Sequence, residues 1–97
     1  MSYSLGTLVK QPSEVLDANF DFSDWLTDKA DTIGSVSVVA DEGIEVEEVT
    51  DLEGVVKVFF SGGTDGSSYK VTVTVTTTRE PLPRIKEAEI YVAVREV

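Results

Sequence analysis

Histidine and cysteine are both absent from the 97 residues of this chain. Without histidine there can be no Ser-His-Asp triad, no Cys-His pair and no imidazole-ligated zinc. Without cysteine there can be no disulfide and no thiolate metal site, and cysteine usage is compatible with a reducing compartment without defining it further. The side chains that most often carry catalysis and transition-metal binding are therefore missing.

Basic residues are scarce: eight Lys and Arg stand against 18 Asp and Glu, which gives a net charge of −10. A phosphate-binding face requires clustered Lys and Arg, whereas those of this chain are scattered. We therefore expect no nucleic-acid partner. No apolar run approaches the roughly 20 residues of a membrane-spanning helix, so we expect no membrane partner either.

Patterns of catalytic and cofactor-binding loops are also missing. Gly62, Gly63 and Gly66 lie between two predicted strands and do not open a helix, so they do not form a phosphate-binding loop. The many carboxylates fall mainly on turns and outward strand positions, where solvation is expected rather than acid–base chemistry. We predict that the protein is not an enzyme and has no catalytic residue and no cofactor.

Calcium is the one metal that the composition leaves open. Acidic residues crowd one predicted hairpin and flank another turn, namely Glu42, Glu45, Glu47, Glu48, Asp51 and Glu53, and then Asp28 and Asp31. Hard oxygen ligands from neighbouring loops bind calcium in several sandwich families. No EF-hand spacing is present, however, and alternation places Glu45 and Glu47 on an exposed face. We interpret these acids as a solvated surface, with calcium binding as the alternative, and predict no metal site.

Alternation of apolar and polar residues predicts strands along most of the chain. Strand-like runs begin at Val15, Val36, Ile44, Val55, Tyr69 and Ala88. In the clearest of them Tyr69, Val71, Val73 and Val75 share one face, which is typical of a half-buried antiparallel strand. The pattern predicts inward positions in the last run as well, at Ala88, Ile90, Val92 and Val94.

Turn-rich gaps at intervals of about ten residues separate these runs and predict the fold class. We expect an all-β protein, an immunoglobulin- or fibronectin-like antiparallel β-sandwich of about seven strands. Residues 12–97 would form this domain, and residues 1–11 an exposed N-terminal arm able to pair with the sheet edge of a partner. The arm from Met1 to Leu8 is expected to become ordered only on assembly. A helical turn is predicted from Ser23 to Leu26, capped by Ser23 or Asp24.

Tyr69 opens its strand after a glycine-containing turn, which resembles the tyrosine corner of immunoglobulin-like domains. In that corner the hydroxyl bonds to upstream backbone while the ring packs inward. We therefore predict a structural role for Tyr69.

The most unusual segment is Lys10 to Ile33, which holds the single tryptophan, Trp25, and an excess of aspartates. Its run from Lys10 through Pro12, Leu16 and Asp17, its Asp-aromatic turn and its Asp-Thr-Ile exit resemble the signature of phage fiber-tail adaptor proteins, which are small immunoglobulin-like virion proteins of tailed phages. A later Ser-Gly-Gly-Thr followed by Tyr-x-Val-x-Val resembles the same family. The signature residues are Pro12, Leu16, Asp17, Phe22, Trp25, Leu26, Asp31, Thr32, Ile33, Gly62, Gly63 and Tyr69.

The resemblance implies a structural virion protein that connects a phage tail or baseplate to a fiber through protein–protein contacts. It implies partners among other tail, baseplate or fiber proteins, several copies in the assembly, synthesis in the host cytoplasm and a final place in the tail of the virion. The signature residues themselves, Trp25 included, are most simply parts of the core and its loops.

Two other function classes remain open on sequence grounds. An adhesion or carbohydrate-binding sandwich needs exposed aromatic residues, for which Tyr3, Phe59 and Tyr91 are the candidates. A small regulatory binding domain is the second alternative.

Overall fold

Strands form most of the chain in the computed structural model, which describes residues 2–27 and 30–96, with side chains from residue 6 onward. Seven strands and one short helix follow each other in the order β1 Ser2–Lys10, β2 Leu16–Asp21, α1 Ser23–Thr27, β3 Ile33–Ala40, β4 Ile44–Leu52, β5 Val55–Gly62, β6 Ser68–Thr77 and β7 Ile85–Val94. In the described ranges no helix has the length and apolar character needed to cross a membrane. The predicted all-β class is confirmed.

The strands form two sheets. Sheet A has the order β1-β7-β6-β3 and sheet B the order β2-β5-β4. If the seven strands are lettered A to G in chain order, sheet B has the order B-E-D and sheet A has the order A-G-F-C. The B-E-D and C-F-G neighbours are those of a constant-type immunoglobulin sandwich, whereas strand A is paired with strand G. The two-sheet architecture is observed, and the immunoglobulin-like name stays a prediction.

The core lies between the inner faces of the two sheets. The inward positions expected from alternation are buried in β5, β6 and most of β7. Phe20 of β2, Phe22 between β2 and α1, and Leu26 of α1 add to the core. Side chains with no solvent exposure include Phe20, Val56, Val58, Phe60, Val71, Val73, Val75, Ala88, Val92 and Val94. Each fully buried Val or Phe contributes about 1.5–3 kcal/mol of transfer free energy, so this apolar layer is the main stabilising element.

β4 departs from simple alternation at Glu47. Val46 is paired with Phe60 and Glu48 with Phe59, so Glu47 is the extra residue of a bulge. The bulge returns Val49 to the inward face opposite Val58. Val49 nevertheless stays exposed, because β4 is the terminal strand of sheet B at this point.

β1 lies within the segment that the sequence analysis assigned to an N-terminal arm. Residues 2–10 run parallel to β7 and form one edge of sheet A, with an irregularity between Ser4 and Thr7. This parallel pairing is the one exception to the predicted antiparallel pattern among the described strands, and after β1 the chain passes from the edge of sheet A to β2 in sheet B. Met1 lies outside the described residues, and the boundary between arm and domain stays a prediction.

The helical turn predicted after β2 is α1, but its cap differs from the prediction. Asp21, and not Ser23 or Asp24, accepts hydrogen bonds at Oδ1 from the Ser23 backbone N–H at 2.9 Å and from the Ser23 hydroxyl at 2.6 Å. These bonds, the hydroxyl bond first, lower the pKa of Asp21. The reason for the difference is that Phe22 is buried in the core, so the chain has to turn immediately after Asp21.

The β5–β6 loop contains two glycines whose conformation and surroundings exclude a side chain. Gly62 and Gly63 have φ angles of 86° and 96°. A Cβ atom on Gly62 would lie 2.8 Å from the Gly43 carbonyl oxygen, and one on Gly63 would lie 2.5 Å from Val94 Cγ2. Gly66 in the same loop has a φ of 90° but open space around it.

Comparison of Gly63→Ala with Gly66→Ala separates steric overlap from backbone strain. Both changes impose a positive φ on alanine, which costs about 1–2 kcal/mol. Gly63→Ala additionally drives a methyl group into Val94, so we expect a total loss of about 3 kcal/mol in the free energy of unfolding, measured by urea denaturation. Equal losses in the two variants would contradict the close packing of Gly63.

Candidate functional site

The signature residues lie mainly in two groups at opposite ends of the sandwich. One group surrounds the end of β5 and the start of β6, and contains Pro12, Leu16, Gly62, Gly63 and Tyr69. The other surrounds α1 and the start of β3, and contains Phe22, Trp25, Leu26, Asp31, Thr32 and Ile33. Asp17 belongs to neither: it is exposed on the outer face of sheet B, with an oxygen 4.0 Å from Lys57 Nζ.

Lys10 is the centre of the first group, although lysine side chains are charged and are almost always exposed to solvent. It has no solvent exposure at all. Its Nζ donates to the carbonyl oxygens of Gln11 at 2.8 Å, Pro12 at 3.2 Å and Gly62 at 2.7 Å. An ammonium group has three N–H donors, so its hydrogen-bonding capacity is fully used. The bonds connect the end of β1, the turn before β2 and the end of β5.

Tyr69 closes the same end of the sandwich. Its ring lies against Gly43 and Gly63, where an added Cβ atom would meet ring carbons at 2.7 and 3.2 Å. Its hydroxyl oxygen accepts a hydrogen bond of 2.8 Å from the Thr64 backbone N–H. Hydrogen bonds with Thr64, from its side chain first and then from its backbone, lower the pKa of Tyr69. The hydroxyl thus contacts backbone upstream of its strand, in the manner expected of a tyrosine corner.

Trp25 is the centre of the second group. The Arg84 guanidinium lies over the Trp25 ring, with its carbon 4.3 Å from the ring centroid, and Lys86 Nζ lies 5.8 Å from the same centroid. Phe22 meets the indole edge-on, with centroids 6.4 Å apart. Arg84 also donates to the Trp25 carbonyl oxygen at 3.2 Å. Cation–π contact and hydrogen bonding therefore attach α1 to the start of β7.

Asp31 completes this cluster as the anionic partner of Arg84. Arg84 Nε lies 3.2 Å from Asp31 Oδ2, and the Asp31 side chain is 4% exposed. The Thr32 backbone N–H donates to Oδ1 at 3.0 Å. Desolvation raises the pKa of Asp31, but hydrogen bonds from Arg84, Thr32 and Thr77 and the charge of Arg84 outweigh that effect, so the pKa is lowered. Asp31 is thus an ionised structural carboxylate.

The acidic residues proposed as calcium ligands do not converge. In the described ranges no group of three or more Asp, Glu, His or Cys side chains could hold a metal ion. The acids of β4 and its flanking turns are exposed, and Glu47 is engaged by the hydroxyl of Ser61. Asp28 lies outside the described residues.

An open cleft of about 320 Å³ lies between α1 and the β4–β5 turn. It is lined by Leu26, Leu52 and three acids, Asp31, Asp51 and Glu53, together with small polar residues. Asp31 is already bound by Arg84, which leaves Asp51 and Glu53 as the other two carboxylates of the cleft.

Tyr91 and Phe59, two of the aromatic residues considered for glycan binding, do not form one platform. Tyr91 is on the outer face of sheet A, where its hydroxyl donates to Glu89 at 3.0 Å, and this bond with the carboxylate raises the pKa of Tyr91. Phe59 is on the outer face of sheet B, with Lys57 Nζ 5.9 Å from its ring centroid. The side chain of Tyr3 is outside the described part of the structure. Tyr91 and Phe59 therefore face opposite directions.

The four sheet edges differ sharply in charge. Sheet B ends in β2, which carries Asp17 and Asp21, and in β4, which carries three glutamates and Asp51. Sheet A ends in β1, whose only charged residue is the buried Lys10, and in β3, which has no charged residue. Charges at a strand edge oppose pairing with other chains. The edges of sheet A therefore carry fewer of the charges that oppose pairing with another strand.

Two residues of these clusters were not predicted as site residues, Lys10 and Arg84. In the sequence Lys10 is only the first residue of a motif. Its burial follows from the β1–β7 pairing, which places it opposite Val94 on the inner face of sheet A. Arg84 lies in a proline-containing loop, and no pattern in the sequence connects it with Trp25.

Replacing Lys10 tests the first cluster. Lys10→Met keeps much of the side-chain length but removes the Lys10 donor from the carbonyl oxygens of Pro12 and Gly62, while the Gln11 oxygen keeps its bond from the Glu14 N–H. We expect a loss of about 2–4 kcal/mol in the free energy of unfolding. Lys57→Met is the matched control, because its ion pair is nearly half exposed and should contribute less than about 1 kcal/mol. A Lys10→Met protein as stable as the control would contradict this role.

Replacing Asp31 tests the second cluster through pH. Because the folded-state pKa is lowered, the stabilising effect of the carboxylate is complete above the unfolded-state pKa of about 3.9 and is lost as the pH falls through the folded-state value. We expect Asp31→Asn to melt at a lower temperature than the wild type at about pH 5–7, with the difference shrinking below about pH 4. A difference that does not change with pH would contradict an ionised Asp31.

The family model described as Podophage GP4 fiber-tail adaptor protein gp77 matches residues 10–93. No curated protein matches the chain. The matched range begins at Lys10 and contains both loop clusters, all strands from β2 to β6 and most of β7. The chain belongs to the podophage GP4 fiber-tail adaptor family.

Proposed function

We propose that this protein is a structural component of a phage tail that connects the tail or baseplate to a fiber through protein–protein contacts. The observation that carries the proposal is the family match over residues 10–93. The partners would be other tail, baseplate or fiber proteins. The protein would be made in the host cytoplasm, incorporated into the virion in several copies, and would bind neither nucleic acid nor membrane.

The geometry supports a contact role and gives no support to catalysis. The buried ionic side chains, Lys10 and Asp31, have their hydrogen bonds satisfied by structural partners. In the described ranges no three or more Asp, Glu, His or Cys side chains form a group that could hold a metal ion. What the molecule offers to others is its surface, including the two sheet A edges and three exposed apolar side chains at the α1 end, Leu52, Leu82 and Ile85.

We propose that the signature residues serve this role indirectly, by fixing the loops at both ends of the sandwich. A rigid module loses little conformational entropy on docking, so fixed loops lower the cost of binding a partner. The opposite orientation of Tyr91 and Phe59 gives no support to a carbohydrate-binding alternative.

Assembly of phage particles without this protein tests the adaptor role. We expect particles of the phage that encodes it to retain tails but lose fibers when the gene is deleted, as seen by negative-stain electron microscopy and by mass spectrometry of purified virions. Wild-type protein and the surface variant Lys57→Met should both restore the fibers. Deleted particles with a normal fiber content would contradict the proposal.

A further inference from the structure

The free edge of β3 differs from every other edge of the sandwich. β3 is the last strand of sheet A and pairs with β6 on one side only. Its sequence, IGSVSVVA, contains no charge and no proline. Apart from an irregularity at its start, between Ile33 and Ser35, its register with β6 is continuous to Ala40.

The backbone of β3 presents a regular row of hydrogen-bonding groups to the open side. The Asp41 N–H donates to the Lys70 carbonyl oxygen at 2.9 Å, which fixes the phase of the ladder. In an antiparallel pair, hydrogen-bonded and non-hydrogen-bonded residues alternate, so Val39, Ser37 and Ser35 direct their N–H and C=O groups toward β6. The N–H and C=O groups of Val36, Val38 and Ala40 are therefore directed away from the sheet.

The other edges carry features that interfere with strand addition. β4 has four carboxylates and the bulge at Glu47, and β2 has two aspartates. β1 is uncharged along most of its length, but its register is interrupted between Ser4 and Thr7. Charges and bulges are the devices by which proteins prevent edge pairing, and β3 has neither from Ser35 to Ala40.

The charge beside β3 indicates what kind of strand fits there. β3 contacts β4, the acidic edge of sheet B, on the same side of the sandwich. Packed sheets lie about 10 Å apart, so a strand added to β3 would run beside the β4 edge, where Asp51 is on the inner face and Glu45 and Glu48 are on the outer face. Lysine or arginine side chains would be favoured on that strand, because the field of these charges extends over a Debye length of about 8 Å at physiological salt.

A second copy of this chain fits the edge poorly. Pairing two β3 edges around a two-fold axis would place two acidic β4 strands on the same side of the interface. Each copy also carries a net charge of −10. Repulsion between like charges would therefore oppose the contact.

We propose that the free edge of β3 accepts an extended, basic segment of a partner protein, which adds to sheet A as a further strand. The backbone groups of Val36, Val38 and Ala40 provide the pairing, and the β4 carboxylates select Lys or Arg on the added strand. This inference rests on the proposed adaptor function and names the surface through which one partner is held.

The test uses the full-length protein and two probe peptides, both acetylated and amidated: Val-Lys-Val-Lys-Val-Lys-Val and the same peptide with Glu in place of Lys. Amide NMR spectra and hydrogen exchange are recorded with each. We expect the Lys peptide to slow exchange at Val36, Val38 and Ala40, and to bind about tenfold more tightly than the Glu peptide at low salt. Equal affinity, or slowed exchange at β1 or β4 in place of β3, would overturn the proposal.

Substitutions in β3 and β4 separate the backbone contribution from the charge contribution. Val38→Pro removes an outward N–H without removing a bond to β6, and should weaken binding of the Lys peptide by about tenfold or more. Val38→Thr is the matched control, because it keeps the N–H and the branched shape, and it should bind like the wild type. If Val38→Pro fails to fold, the charge reversal Asp51→Lys on the inner face of β4 decides the question, since it should shift the preference toward the Glu peptide.

Sedimentation velocity without peptide provides a further check. A concentration-dependent dimer that Val38→Pro abolishes would show that a second copy occupies the edge, and would overturn the proposal. If gene-deleted particles lose their fibers but the Lys peptide does not bind, the β3 edge is not the binding surface and the adaptor function still stands. Normal fibers on those particles would reject the adaptor function whatever the peptide does.

Discussion

The buried ammonium group of Lys10 is the interaction on which one whole end of the sandwich depends. Removing a lysine from water is costly unless each of its three donors finds an acceptor, and here all three are met by backbone carbonyl oxygens. Those carbonyls belong to three separate stretches of chain, so the side chain fixes β1, the Pro12 turn and the β5 end relative to one another. The close approach at Gly62 and Gly63 and the ring of Tyr69 lie at this same end of the sandwich.

The other end is closed by a different chemistry with the same effect. Arg84 stacks on Trp25 and bonds to both its carbonyl oxygen and Asp31, so a loop between β6 and β7 is joined to α1 and to the entry of β3. Planar guanidinium groups suit this task, because one face can contact an aromatic ring while the N–H groups remain available. The charged groups of Lys10, Arg84 and Asp31 thus hold the loops at the two ends of the sandwich in place.

A module of this kind offers other proteins its edges and faces. The two sheets are unequal in that respect: the edges of sheet B are acidic, whereas those of sheet A are nearly uncharged. Because charges at a strand edge oppose pairing, the asymmetry disfavours strand addition at sheet B more than at sheet A. The family to which the chain belongs is described as a fiber-tail adaptor, a name that refers to two different structures, the fiber and the tail.

The sequence by itself determined the all-β class, the strand positions and the inward faces of β5, β6 and β7, because period-two alternation is a local property that survives in the fold. It also carried the family signature. The pairing of β1 with β7, the Glu47 bulge, the Asp21 cap and the roles of Lys10 and Arg84 were decided only by the tertiary structure. Each of these depends on contacts between residues distant in the chain or on the exact register of two strands, and neither is encoded by local periodicity.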